Sequence, residues 1–189
     1  MRILCFGDSN TYGYDSRSYF GGRYPAEDRW VDILAQKTGY DILNEGQNGR
    51  EIPRRAYELS AFRLILSESQ PIDLLIIMLG SNDLLQGAKP IEAAARMEAF
   101  LNQIPLDRDQ ILLIAPPPMK RGEWVTSDRL AAASVDLTNH YQTIARRMGI
   151  RFANAGWWDI DLVFDGVHFS EAGHRAFAEG LFNVLAGKE

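Results

Sequence analysis

One cysteine, three histidines and no long apolar run set the first limits on this chain of 189 residues. A single thiol excludes an intramolecular disulfide framework. That thiol, Cys5, lies inside the apolar run Ile3-Leu4-Cys5-Phe6 and reads as a small core residue. A reactive thiol would need a partly exposed, electropositive setting. No apolar run approaches the roughly 18 residues of a membrane span. Met1-Arg2 leads straight into a short strand pattern with no apolar leader, so a cytoplasmic protein is expected. Positive charge is also scarce. Lys and Arg number 20 against 25 Asp and Glu, and the net charge of -5 argues against a nucleic-acid or anionic-membrane partner. The basic pairs Arg54-Arg55 and Arg146-Arg147 read as solvated helix faces. His140 and His174 have no metal-ligand spacing to another His or Cys and read as surface or core histidines, so neither a metal nor another cofactor is expected.

With 46% hydrophobic and 24% charged residues, the remainder is ordinary globular material, sufficient for one well-buried domain over residues 1–189. Five short runs rich in Ile, Leu and Val read as strands: Ile3 to Phe6, Tyr40 to Leu43, Leu74 to Leu79, Ile111 to Ala115 and Ile150 to Ala153. Their starts are roughly thirty to forty residues apart, the length of one βαβ unit. They are continuously apolar rather than alternating, as strands covered on both faces are. Helical patterns fill the gaps. One follows Trp30 and ends at Gly39. One opens at Pro53 and stops before Pro71, and another opens at Pro90 and stops before Pro105. A long one is capped by Ser127 and ended by Gly149, and the last is capped by Ser170. Strict alternation predicts a flavodoxin-like, three-layer α/β/α fold with a five-stranded parallel sheet in the order 2-1-3-4-5.

Ligands of such sheets bind beyond the carboxyl ends of the strands. The segments at those ends are therefore the place to look for chemistry. Gly7-Asp8-Ser9 follows the first strand, and Asn44-Glu45-Gly46-Gln47-Asn48-Gly49 the second. Gly80-Ser81-Asn82-Asp83 follows the third, and the stiff loop Pro116 to Trp124 the fourth. Asp165-Gly166-Val167-His168 comes after the fifth. Serine, aspartate and histidine in that order suggest a hydrolytic triad. Alone, Ser9 could equally cap the first helix, Asn82 could close an Asx turn, and Gly49 could serve only a tight turn. Asp83 reads as structural support. Asp159 and Asp161 are rivals to Asp165, which the Asp-x-x-His spacing favours. Tyr12, Tyr14, Tyr19, Phe20, Tyr24 and Trp30 form an aromatic-rich stretch, most of it packing.

The first, second, third and last of these segments, in this order, resemble the SGNH hydrolases, or GDSL esterases, over nearly the whole chain. The nearest likeness is to the bacterial arylesterase and acyltransferase branch. The resemblance implies Ser9 as nucleophile, His168 as general base and Asp165 as its partner. It also implies an oxyanion hole from the N–H groups of Ser9 and Gly49 and the amide of Asn82. A helix starting just after Ser9 would add its positive end. The chain departs from the family motif at Asn10, where leucine is usual, and that position is expected near the site entrance. Tyr12, Tyr14, Trp124, Val167 and Phe169 are further wall candidates. The implied activity is hydrolysis of short aryl or acetyl esters through an acyl-enzyme, with acyl transfer to alcohols as a companion. Carbohydrate acetylesterase is the nearest alternative, ahead of thioesterase or lysophospholipase. The substrate is then a small ester, and a homo-oligomer is implied. A flavodoxin-like module binding phosphate or flavin at Ser9-Asn10-Thr11 is the competing class.

Overall fold

The computed structural model describes residues 1–18, 20 and 22–188. Its sheet contains β1 (Arg2–Gly7), β2 (Asp41–Gly46), β3 (Leu74–Met78), β4 (Ile111–Ala115) and β5 (Arg151–Asn154). All neighbours are parallel, in the order β2-β1-β3-β4-β5. The expected order is therefore borne out. In register, Ile3 lies between Ile42 and Leu74, and Leu75 lies beside Ile111.

Alternation within each strand divides the core in two. Leu4, Phe6, Leu75, Ile77 and Leu113 point to one face, where they meet α3 (Ala56–Ser69), α5 (Pro90–Leu101) and α6 (Asp128–Met148). Ile3, Cys5, Leu74, Ile76 and Leu112 point to the other, under α2 (Trp30–Thr38) and α7 (Glu171–Leu185). Every residue of β3 and β4 is buried, which is why those runs carry no polar alternation. Burial also pushes the Cys5 thiol pKa far up.

The helix ends follow ordinary capping chemistry. Ser127 Oγ accepts from the Leu130 N–H at 3.2 Å, and Ser170 Oγ from the Gly173 N–H at 3.1 Å. Gly39 and Gly149 take the left-handed conformation that closes α2 and α6.

Two boundaries differ from the sequence reading by more than one residue. Helix α3 starts at Ala56 instead of Pro53, because the Glu58 carboxylate draws in the N–H groups of Arg54 and Arg55, each at 2.9 Å. The preceding segment stays extended and buries Ile52 and Pro53. Strand β2 does not stop at Leu43, since Asn44, Glu45 and Gly46 pair with Cys5, Phe6 and Gly7. Only glycine fits at 46, where a Cβ would lie 2.0 Å from the Tyr12 nitrogen in α1 (Ser9–Tyr12). The first helix thus lies across the rim of the sheet. A second short helix, α4 (Ser81–Leu85), follows β3 at the same rim.

Phe100 is buried edge-on against Phe62 at 4.8 Å between ring centroids, and Phe62 against Phe6 at 4.9 Å. Phe100→Ala is expected to lower the unfolding free energy by about 3–5 kcal/mol, read as a reduced urea midpoint. A loss below about 1 kcal/mol would mean that this cluster does not hold α3 and α5 to the sheet.

Candidate active site

Strand β1 ends at Gly7, and the chain turns at Asp8, whose carboxylate accepts the Asn10 N–H at 3.0 Å and caps α1. Ser9 is the first residue of that helix. Its Oγ lies 2.9 Å from His168 Nε2, and His168 Nδ1 lies 2.7 Å from Asp165 Oδ2. An ionised carboxylate only accepts, so Nδ1 carries the proton and Nε2 is left to accept from the Ser9 hydroxyl. The other Asp165 oxygen accepts the N–H groups of Val167 at 2.8 Å and His168 at 2.9 Å. Burial pushes the Asp165 pKa up, but its bonds to the His168 ring and to these two N–H groups outweigh it and hold the carboxyl at about 2.

This turn needs glycine at its second position. Gly166 has φ of +81°, and a Cβ there would sit 2.1 Å from the Lys120 carbonyl oxygen. The proline-rich loop clamps it from outside: the Lys120 N–H donates to the Gly166 carbonyl at 3.0 Å and the Trp124 N–H to the Asp165 carbonyl at 3.1 Å. Trp124 is thereby placed over the site, its ring 4.9 Å from that of His168, with Tyr14 on another side at 4.8 Å.

The opposite wall comes from the loops after β2 and β3. Gly49 has φ of +73° and lines the same cleft as Ser9. One Asn82 Nδ2 hydrogen goes to the Arg50 carbonyl at 3.1 Å, which fixes the amide and leaves the second hydrogen for the cleft. The cleft has a volume of about 250 Å³ and is lined by Ser9, Tyr14, Asn48, Gly49, Asn82, Trp124 and His168. A larger cavity of about 410 Å³ adjoins it at Gly49, between Arg50 and α3, but contains none of Ser9, Asn82 or His168. The smaller cleft is where a hydroxyl, an imidazole and several N–H donors converge, an arrangement suited to acyl chemistry.

The sequence matches the GDSL-like lipase/acylhydrolase family over residues 5–176. The chain belongs to that family. None of the curated proteins matches it. Among solved structures it is similar to the aryl esterase of M. smegmatis, with 25% identity over 100% of this chain and 99% of that one and a TM-score of 0.84. It is also similar to a carbohydrate acetylesterase from Sinorhizobium meliloti, with 28% identity over 98% of each chain and a TM-score of 0.83. A carbohydrate acetylesterase family member from the same organism has 25% identity over 99% of this chain and 98% of that one, with a TM-score of 0.83. The GDSL-family chain is accordingly a carboxylic ester hydrolase. Among its described residues, no helix is long and apolar enough to cross a membrane.

Four of the wall candidates do not line the cleft of this GDSL hydrolase; Phe169 is one, fully buried in the core beneath α2 and α7. Asn10 is buried, with its amide bonded to the Val167 carbonyl and the Phe169 N–H. Tyr12 turns away beneath the Arg23 guanidinium, 4.5 Å above its ring. Val167 points into the core beside α3, α5 and α6. Tyr19 lies outside the described residues. Helix α1 is four residues long, so it adds little of the positive end expected from a full helix. Asp83 is fully buried and accepts from the Ile52 N–H at 2.9 Å and Arg96 Nη1 at 2.8 Å. Asp161 receives the Ser170 hydroxyl at 2.6 Å, and Asp159 is exposed.

Sequence reasoning missed Asn48 and Arg50. Arg50 folds back over the Phe6 ring, 4.0 Å from its centroid, and donates to the carbonyls of Gly7 and Glu45. Burial lowers its pKa to about 10. Nothing in the run Gln47-Asn48-Gly49-Arg50 signals that return; it depends on Phe6 lying at the end of β1.

His174 is a core residue, with Nδ1 accepting the Trp30 N–H at 3.4 Å and Nε2 without a partner among the described residues. Burial lowers its pKa from 6.5 to about 3. The unfolded chain therefore binds the extra proton first, and the stabilisation from keeping this ring neutral is complete above pH 6.5 and lost as pH falls toward 3. His174→Asn keeps an acceptor near Nδ1 but cannot titrate. The variant should show a flatter dependence of unfolding free energy on pH across that window, measured by urea titration. Equal slopes in the two proteins would exclude this origin.

Proposed function

We propose that this hydrolase is a serine esterase for short-chain aryl or acetyl esters, working through an acyl-enzyme on Ser9. The observation that carries the reading is the continuous chain Ser9 Oγ–His168 Nε2, His168 Nδ1–Asp165 Oδ2, at 2.9 and 2.7 Å. In this reading Ser9 Oγ attacks the ester carbonyl as its proton passes to His168 Nε2. Asp165 keeps the Nδ1 proton in place and stabilises the charged ring. The oxyanion is received by the N–H groups of Ser9 and Gly49 and by the free hydrogen of Asn82 Nδ2. Collapse of the tetrahedral species breaks the bond to the alcohol oxygen, which takes the proton from Nε2. Water then attacks the acyl-enzyme through the same histidine and releases the acid.

Substrate size is argued from the walls. A cleft of about 250 Å³ is small beside the roughly 300–1,000 Å³ of drug-sized sites. Trp124 and Tyr14 give it aromatic sides. Both features support a short acyl group with an apolar or aryl alcohol, and an alcohol can replace water as acceptor in such a site. Acetylated sugars are the second reading, supported by the likeness to the carbohydrate acetylesterases from Sinorhizobium meliloti.

Hydrolysis of nitrophenyl esters from acetyl to longer acyl chains tests the reading. Turnover should fall with chain length and disappear in Ser9→Ala, whose thermal midpoint should stay near that of the wild type. Full turnover in Ser9→Ala would remove the nucleophile assignment. Asn82→Ala should lower kcat by about 10²–10³-fold with little change in KM. A change confined to KM would mean that Asn82 only binds substrate.

A further inference from the structure

We propose that Asn10 is a positioning residue that holds His168 in register with Ser9; the role rests on the esterase reading above. Its side chain straddles the histidine. Nδ2 donates to the carbonyl of Val167 at 3.1 Å, and Oδ1 accepts the N–H of Phe169 at 3.0 Å. The main chain of Asn10 is equally committed: its N–H donates to Asp8 Oδ1 at 3.0 Å and its carbonyl accepts Trp30 Nε1–H at 2.9 Å. The residue beside the nucleophile is therefore fixed at four points, two of them on either side of the base.

The need for such a brace follows from what the other contacts cannot do. Asp165 orients the imidazole, but it belongs to the same turn as His168 and moves with it. Apart from the Ser9–His168 bond, the two Asn10 side-chain bonds are the only hydrogen bonds between the α1 turn and the 165–169 loop among the described residues. The Ser9–His168 bond is itself broken and remade as the proton moves, so it cannot hold the two segments in register through the reaction. Asn10 takes no part in that proton transfer, and its bonds persist.

The side-chain chemistry is specific. A backbone carbonyl only accepts and a backbone N–H only donates, so one short planar group must present both a donor and an acceptor. Asparagine does. Leucine offers neither, and aspartate lacks the donor. At 5% exposure, no water would make good the loss.

The test compares Asn10→Leu with Trp30→Phe. The second variant deletes the indole N–H that reaches the Asn10 carbonyl but leaves the amide on the histidine loop. Two readouts apply: steady-state hydrolysis of nitrophenyl acetate, and the rate at which an alkyl fluorophosphonate modifies Ser9. A displacement near 1 Å can cost about 10²-fold in rate. Asn10→Leu, folded by circular dichroism, should therefore lose about 10- to 10²-fold in kcat and in labelling rate with KM within about twofold. Trp30→Phe should lower the thermal midpoint while keeping kcat within about twofold of the wild type. If Asn10→Leu does not fold, Asn10→Asp has the same size, keeps the acceptor and lacks the donor, and carries the same expectation. Wild-type kcat and labelling in the folded Asn10 variant would overturn the role, as would an equal loss of kcat in Trp30→Phe. A wild-type protein inert to both reagents would overturn the esterase reading and the role with it.

Discussion

A single buried carboxylate organises the reactive corner of this protein. Asp165 binds the N–H groups of Val167 and His168 through one oxygen and the His168 ring through the other. The first pair of bonds folds the loop, and the second sets the tautomer of the histidine that the loop carries. Local structure and chemistry thus share one side chain. That sharing explains the depressed pKa: the ionised form is held by three donors, and they overcome a burial penalty that alone would have raised it. It also explains why the loop needs Gly166 and a second loop above it. A turn this tight leaves a main-chain face open, and the proline-rich segment covers it through Lys120, Glu123 and Trp124.

The sheet supplies the other half of the geometry. Parallel strands end on one side, so residues from β1, β2 and β3 meet at one rim whatever their separation in sequence. Close approach there depends on the small strand ends Gly7 and Gly46, which let α1 lie against the sheet. Arg50 then ties the carbonyl ends of β1 and β2 together, and its own carbonyl orients Asn82. Of the proposed oxyanion donors, the Asn82 amide is thus tied through Arg50 to the strand ends, which is the preorganisation such a donor requires.

Much of this was legible in the sequence, for identifiable reasons. Continuous apolar runs mark β3 and β4 because both faces are covered, and the spacing of runs leaves few topologies. Ser9 and Asn82 stand out because they come within a few residues of the ends of buried strands, and His168 because it stands three residues after Asp165. Asn10 and Tyr12 lie close to Ser9 in sequence but outside the cleft. In a helical turn, successive side chains point about 100° apart, so neighbours of a cleft residue face elsewhere. The partners of Asn10 lie 157 and 159 residues away, beyond any local pattern. The start of α3 failed for a similar reason: proline at the first helical position is a common signal, but the carboxylate of Glu58 decided the boundary.

The charges at the site divide into two kinds, and the division bears on where acid acts. Asp165, at about 2, is ionised at neutral pH and well into the acid range. Asp8, one residue before Ser9, is pushed by burial up to about 6, with the Asn10 N–H, His168 and Arg50 opposing the shift only in part. The signs are opposite. Asp165 stabilises the fold above its unfolded value, and that contribution is lost as pH falls through about 2. Asp8 favours the fold below its unfolded value of 3.8, and that contribution is lost as pH rises through about 6. The site therefore pays for a charge on Asp8 at neutral pH. Its carboxylate is nonetheless the cap that starts α1 at Ser9. A carboxylate kept there against its own solvation preference is best understood as fixing the backbone at Ser9, while the favourable charge is reserved for the carboxylate that faces the imidazole.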